Sequence, residues 1–329
     1  MLILTRDDLH KALPMKDVIE AMKQAFASLS DGKAQVPLRT RLQIPPQDGL
    51  SLIMPAYVQA NNTEALAVKV VSLFPNNPGR NLAFIQAAVL VLDAETGRSV
   101  ALIEGSALTA IRTGAAGGAA IDLLARPQSR VLAVFGAGVQ GRTQMEAACT
   151  VRKIETAYIY DPNPKLAEAF VLEMAGRGPI PNDLRVAQNS SEAVRDADII
   201  CTATTATSPV FADGDLKAGV HITGVGSYIP TMQEIPPETV TRARVFVDSR
   251  SVSLVEAGDL ILPLQAGMFD ESHISNELGE VILGRKPGRG SPQEITFFKS
   301  VGVAVQDALA AQLALENAGR MKLGQVVDF

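Results

Sequence analysis

At 329 residues the chain exceeds what one hydrophobic core usually organises, so two domains are expected, and 47% hydrophobic against 20% charged residues leaves apolar material for both. Thirty basic and thirty-five acidic side chains give a net charge of -5, and no long Lys/Arg block interrupts the sequence, which argues against a nucleic-acid partner. Two cysteines without C-x-x-C spacing, Cys149 and Cys201, argue against a disulfide framework or thiolate zinc site and read as buried small hydrophobes.

In chain order, Asp7 and Asp8 stand where a signal peptide needs positive charge, and no apolar run reaches membrane-spanning length, so a cytoplasmic location without membrane association is expected. Residues 14–26 place apolar side chains at 15, 18, 19, 22, 25 and 26, a helical period opened by Pro14 and closed before Gly32. From 37 to 104 short apolar runs alternate with the turn clusters "PPQDG", "PNNPGR" and "DAETGR", predicting a mostly antiparallel β-region. Ser106 is placed to cap a helix through "ALTAIRTGAAGGAAIDLLA", whose small residues predict close packing against another backbone. After Arg130, strand-like and helix-like segments alternate ("VLAVF", "VQGRTQMEAACTV", "TAYIY", "PKLAEAFVLEMA", "ADIICTAT", "HITGVG", "RVFVD"), the pattern of a parallel sheet with crossover helices. A terminal helix, "VAVQDALAAQLALENA", has no sheet of its own and is expected to return to the first domain.

The string "VFGAGVQGRTQ" carries the most specific chemistry. A G-x-G-x-x-G string alone is weak. Here it follows a strand, opens a helix, and is followed twenty residues after Gly141 by Asp161 at the end of a second strand. Gly136 permits the tight turn, Gly138 lets the backbone approach a pyrophosphate, and Gly141 allows close helix–strand packing. Ala137, Val139 and Gln140 complete the loop, and the helix N-terminus supplies amides and positive dipole. Asp161 suits the ribose hydroxyls of NAD(H) and repels a 2′-phosphate; Lys165 leaves NADP(H) open. Thr202 and Thr204 of "ATTATSP" fall at the carboxyl edge of the expected sheet, beside the cofactor.

Outside that domain a few cations stand out. Lys69 sits among apolar neighbours in "ALAVKVVSLF", either paired and buried or on the solvent face of its strand. Arg112 is the only cation between Arg98 and Arg126, in a helix of small and apolar residues, and needs an acid, a carbonyl or a ligand carboxylate. Arg39 and Arg41 alternate with apolar residues in "PLRTRLQIP"; from pattern alone they read as solvated. His10, His221 and His273 lack metal-ligand spacing, so no metal is expected.

Five segments together resemble the ornithine cyclodeaminase/μ-crystallin family over nearly the whole chain: "LIMPAYV" with Met54-Pro55, "AVKVVSLFP" around Lys69, "LTAIRTGAAGGAA" around Arg112, "VFGAGVQGRTQ", and "FFKSVGVAVQDALAA" from Lys299 to Asp307. The resemblance implies an α/β protein: a Rossmann dinucleotide-binding domain (residues 124–304) inserted in an α+β substrate-binding and dimerisation domain (1–123 with 305–329), assembled as a homodimer. It implies that Arg39, Lys69 and Arg112 bind a substrate α-carboxylate, with Met54, Tyr228 and Gly302 also at the substrate. It extends the cofactor set to Thr113, Pro162, Ala203, Val225, Ser227, Lys299 and Ser300.

Members that act on amines carry an aspartate in the loop after the fifth Rossmann strand; here that loop reads "GVGSYIPTMQEI" and the position holds Tyr228. The resemblance therefore implies a ketimine reductase. It would reduce a cyclic imino acid with NAD(P)H, Δ1-pyrroline-2-carboxylate to L-proline or Δ1-piperideine-2-carboxylate to L-pipecolate, by hydride transfer to C=N. Arg112 would clamp the substrate and Lys69 would give the proton. The alternatives are an ornithine cyclodeaminase, an alanine or N-alkyl-amino-acid dehydrogenase, and a non-catalytic NAD(P)H-dependent binding protein.

Overall fold

The computed structural model describes residues 1–60 and 63–328. It divides into two compact units, residues 1–112 with 303–329 and residues 113–302. The first crossing falls inside a helix, between Arg112 and Thr113, rather than at that helix's end as expected from sequence.

The first unit begins with β1 (Leu2–Leu4), α1 (Arg6–Ala12) and α2 (Met15–Ser30), followed by β2 (Ala34–Gln35), β3 (Thr40–Ile44), β4 (Gly49–Ala60), β5 (Thr63–Leu73), β6 (Ile85–Leu92) and β7 (Ser99–Glu104). The helix α3 (Gly105–Leu124) leads out of it. The second unit carries β8 (Val131–Phe135), α4 (Val139–Val151), β9 (Thr156–Tyr160), α5 (Pro164–Met174), β10 (Leu184–Val186), α6 (Ser190–Val194), β11 (Ile199–Thr202) and β12 (His221–Gly224). It continues through α7 (Pro237–Arg242), β13 (Arg244–Val247), α8 (Arg250–Glu256), α9 (Gly258–Gln265), β14 (Asn276–Glu277), α10 (Leu278–Ile282) and β15 (Thr296–Lys299). The chain then returns to the first unit with α11 (Ala304–Met321) and β16 (Gln325–Val326).

In the first unit the sheet runs β16-β1-β7-β6-β5-β4-β2, with β3 added on β4. Its long central strands are antiparallel, and among the described residues only β1 and β7 pair in parallel. Along β5 the buried side chains alternate, Ala65, Ala67, Lys69 and Val71, which is the period of a sheet with one face covered. The cover is α11 with α2 beside it. The α2 face of Met15, Val18, Ile19, Met22, Ala25 and Phe26 is buried, as its helical period requires. The helix α1, not anticipated from sequence, is fixed by a reciprocal cap in which Asp8 N donates to Thr5 Oγ1 and Thr5 N donates to Asp8 Oδ2.

The second unit is a doubly wound sheet of order β10-β9-β8-β11-β12-β15-β13-β14, every pairing parallel. Its inner strands are buried on both faces, which is why β8 reads as an unbroken apolar run rather than an alternating one. Leu132, Val134, Ile159 and Cys201 pack on Met145, Ala148 and Phe170 on one face; Ala133, Phe135, Ile222 and Val245 pack with Val240 and Leu260 on the other. Both cysteines are free and buried, and burial pushes the Cys149 thiol up to about 12. Among the described residues no helix is long and apolar enough to cross a membrane.

Ser106 does not cap α3. The helix starts one residue earlier, and Glu104 caps it by accepting from Ser106 N (3.0 Å) and Ala107 N (2.8 Å). A carboxylate two or three residues upstream satisfies two amides at once and complements the helix dipole, which a serine hydroxyl does not match. The small residues of α3 do admit a close neighbour: a Cβ on Gly114 would lie 2.6 Å from Thr143 Cβ and Thr143 O of α4, and one on Gly117 would strike the Gln144 amide. Gln144 Nε2 donates across to Thr113 O (3.0 Å). Gly114→Val should therefore lower the unfolding free energy by about 1–3 kcal/mol, the usual cost of overpacking. An unchanged midpoint in urea unfolding would show that α3 and α4 have room to separate.

Candidate active site

Two polar constellations stand out, one in each unit. In the first, the antiparallel register sets Lys69 of β5 opposite Met54 of β4, so both side chains share the covered face of the sheet. Lys69 is 2% exposed, Met54 4%. Of the two readings open from sequence, burial with a partner is the one observed. The partner comes from α11: Lys69 Nζ lies 2.6 Å from Asp307 Oδ2, and Arg112 Nε donates to Asp307 Oδ1 at 2.9 Å. Arg112 Nη1 donates to Gln306 Oε1 (2.6 Å), which also accepts from Val303 N. These bonds fix the orientation of the Gln306 amide, and its buried Nε2 has no hydrogen-bond partner.

Two cations thus share one carboxylate, and Arg39, half-buried just before β3, adds a third positive charge to the field. Burial is the largest influence on Lys69, followed by the opposing pull of Asp307 and the repulsion of Arg112 and Arg39; together they bring its ammonium down to about 7. Burial alone would raise Asp307, but Arg112 and Lys69 outweigh it and hold the carboxyl below its ordinary range. The cluster combines excess positive charge, one spare amide donor and burial from solvent, an arrangement able to take up an anion such as a carboxylate.

In the second unit Gly136 takes φ 95° between β8 and α4, a backbone that side-chain-bearing residues rarely adopt, and a Cβ there would lie 2.5 Å from Ala203 O. A Cβ on Gly141 would strike Gly136 O. Gly138, by contrast, has open space where its Cβ would be, and no side chain caps the α4 N-terminus it begins. Asp161, at the end of β9, accepts from Ala137 N and Asn163 N, both at 2.9 Å, tying the glycine loop to the second strand. Arg142 holds the same loop by donating to Ala137 O and Gly138 O while pairing with Glu173. A cavity of about 730 Å³ opens over this edge, lined by Gly136, Gly138, Asp161, Pro162, Ala203 and Thr204 among others. Uncapped amides, a bare glycine surface and a terminal carboxylate match a dinucleotide's pyrophosphate and ribose.

Other residues expected at the cofactor are placed differently. Val139 is exposed on the first turn of α4, while Gln140 Oε1 is buried and without a hydrogen-bond partner. Thr113 is buried beneath α4, and Val225 N donates to Thr202 O (3.0 Å) in the backbone after β12. Thr202, Ser227, Lys299 and Ser300 are buried, their polar groups turned toward protein: Thr202 to Glu234, Ser227 to Met232 O, Lys299 to Asp259 and Ser300 to Asp248. Asp248 also accepts from Val301 N and Gly302 N, fastening the backbone after β15. Tyr228 is half-buried in the loop after β12, and burial pushes its phenol up. Sequence reasoning missed four buried acids, Asp248, Glu234, Asp259 and Asp307, and the amide Gln306. Asp307, Gln306, Glu234 and Asp248 lay in segments quoted from the sequence, but there without a role.

A model of the ornithine cyclodeaminase/mu-crystallin family matches residues 1–322. The chain belongs to this family. Within it, a curated Δ1-pyrroline-2-carboxylate reductase of Bacillus cereus is 39% identical over 330 residues, covering 100% of both chains. The solved structure of Thermococcus litoralis Δ1-pyrroline-2-carboxylate reductase in complex with NADH and L-proline matches at TM-score 0.94 and 45% identity, covering 99% of this chain and 100% of that one. An archaeal alanine dehydrogenase dimer with bound NAD matches at TM-score 0.92 and 32% identity, covering 100% and 99%.

The Lys69 cluster makes a pH prediction. A lysine held near 7 is charged below that pH and neutral above it, so affinity for an anion should be full on the acid side and fall as pH rises through about 7. Cyclopentanecarboxylate, which has no titrating nitrogen, should bind up to about tenfold more weakly per pH unit on the alkaline side. Calorimetric titration between about pH 6 and 9 reads this directly, and a flat profile would mean that Lys69 keeps its proton throughout.

Proposed function

We propose that the protein is an NAD(P)H-dependent ketimine reductase that converts Δ1-pyrroline-2-carboxylate to L-proline, with Δ1-piperideine-2-carboxylate as a second substrate. The observation that carries this reading is the pairing of two buried cations and a spare amide with a single aspartate, a site made for one more carboxylate. The 45% identical reductase structure with NADH and L-proline supports the same assignment. The loop after β12 presents Tyr228 and no acid at the position where amine-handling relatives are expected to carry an aspartate, which favours an imine over a diamine.

The glycine loop, the α4 amides and Asp161 hold the cofactor, which supplies a hydride for the C=N carbon. Arg112 and Lys69 take the substrate carboxylate, with Arg39 adding to the attraction, and fix the orientation of the carbon that is reduced. The ring nitrogen needs one proton for each hydride gained, and Lys69 is its source: buried, poised near neutral pH and held in place by Asp307. We assign Asp161 as the basis of a preference for NADH, with NADPH accepted more weakly. A homodimer in the cytoplasm completes the reading; the dimeric archaeal relative supports the first part.

Loss of absorbance at 340 nm with NADH should be fast for pyrroline-2-carboxylate and piperideine-2-carboxylate, and slow for pyruvate with ammonia or methylamine. Ammonia release from ornithine without net oxidation would make the protein a cyclodeaminase, and turnover chiefly with pyruvate and ammonia an alanine dehydrogenase. Binding of NADH with no turnover of any substrate would make it a binding protein. Asp161→Ser, which removes the charge facing a 2′-phosphate, should shift the ratio of kcat/KM for NADH over NADPH about 10- to 100-fold toward NADPH, the scale of one charge-assisted contact. A native enzyme already preferring NADPH would refute the role given to Asp161.

A further inference from the structure

The backbone segments that follow β11 and β12 are joined by one side chain that no motif marks. Glu234 is fully buried. Its Oε1 accepts from Thr204 N (2.6 Å) and Thr204 Oγ1 (2.9 Å); its Oε2 accepts from Thr202 Oγ1 (3.0 Å), Gly226 N (2.7 Å) and Ser227 N (3.2 Å). Five donors exceed the four or so lone-pair sites of a carboxylate, so at least one site is shared and none is left over. The packing is equally full, since a Cβ on Gly226 would strike both Thr204 O and the Glu234 carboxylate.

Glu234 is itself held in place. Its own N–H and that of Ile235 donate to Asp259 Oδ1 at 2.6 and 3.0 Å, and Asp259 Oδ2 lies 3.2 Å from Nζ of Lys299, the last residue of β15. A continuous path from Thr204 through Glu234 and Asp259 to Lys299 therefore crosses the carboxyl ends of β11, β12 and β15, neighbours in the sheet. Those ends are where a doubly wound sheet presents its ligand. The adenosine half belongs with Gly136 and Asp161 at the ends of β8 and β9; Thr204 lines the same cavity after β11, so the β12 and β15 ends beyond it are left for the nicotinamide. A polar network this deep is expensive to bury, and a hydrophobic core would hold the strands together without it.

We infer that Glu234 is a positioning residue for the nicotinamide ring of the dinucleotide, fixing the backbone at Gly226–Ser227 against that at Thr204 in the spacing that the ring requires, while the ADP-ribose part is bound independently of it. This rests on the cofactor assignment above and not on the identity of the substrate. Glu234→Gln keeps the shape but places an N–H₂ where an oxygen accepted, so at least two of the five bonds are lost in either amide orientation.

The test is a pair of fluorescence or calorimetric titrations of the full chain, with NADH and with ADP-ribose, which lacks the nicotinamide. Glu234→Gln should weaken NADH about tenfold or more, the worth of one to two hydrogen bonds to a charged group, and leave ADP-ribose within about twofold of the wild type. Equal weakening of both ligands, or no change in either, would overturn the proposal. Should Glu234→Gln fail to fold, Thr202→Val removes one donor from the same carboxylate; a smaller loss confined to NADH supports the proposal and a loss shared by ADP-ribose overturns it. Wild-type protein that binds NADH tightly yet reduces no imine would refute the ketimine reading alone, whereas wild-type protein that does not bind NADH would refute both.

Discussion

Two positive charges are taken out of water against one negative charge, and the chemistry of the first unit follows from that imbalance. Lys69 and Arg112 are both nearly inaccessible, and Asp307 answers only one charge. Removing an ion from water costs several kcal/mol even after relaxation, so an unneutralised cation in such a place is a standing demand for an anion. The sheet supplies Lys69, a helix leaving the sheet supplies Arg112, and the terminal helix supplies the aspartate, three elements distant in sequence and held rigid by the same core. A carboxylate entering the cluster meets groups already oriented, which keeps the entropic cost of binding low.

The second unit solves a related problem with the opposite sign. Its glycine loop offers unsatisfied amides to a pyrophosphate, while buried carboxylates fasten the neighbouring backbone: Glu234 between the segments after β11 and β12, and Asp248 on the segment after β15. Each carboxylate takes its hydrogen bonds from loop amides or hydroxyls, so each converts a flexible connection into a fixed surface. Precision at the sheet edge comes from acids that face the protein rather than the ligand.

Much of this architecture was legible in the sequence. The boundaries of β8 and β9 follow from their apolar runs, and the glycine loop from its place between a strand and a helix. The small residues of α3 announced the close approach to α4 that Gly114 and Gly117 now show. What stayed hidden were the acids and the capping detail. A lone glutamate in "PTMQEIP" looks like any solvated loop residue, because its burial is decided by Thr202, 32 residues away. Asp307, in the first turn of α11, looks like an ordinary helix-dipole acid, and Ser106 looked the better cap because Glu104 reads as the end of a strand. Pattern reports local periodicity; the partner of a buried charge is a long-range fact.

Asp307 lies 195 residues beyond Arg112, and the intervening chain is the whole second unit. That unit is contiguous and has its own sheet and core, so it can fold as soon as it has emerged during synthesis. The first unit cannot be completed until the last helix arrives: β4 and β5 lack their cover, and Lys69 and Arg112 lack their counter-charge. The order in which the protein is made is therefore not the order in which it closes. The unit begun first is sealed last, by the helix whose aspartate also pairs with Lys69 and Arg112, and a chain cut short before α11 would lose the first unit's cover along with that counter-charge.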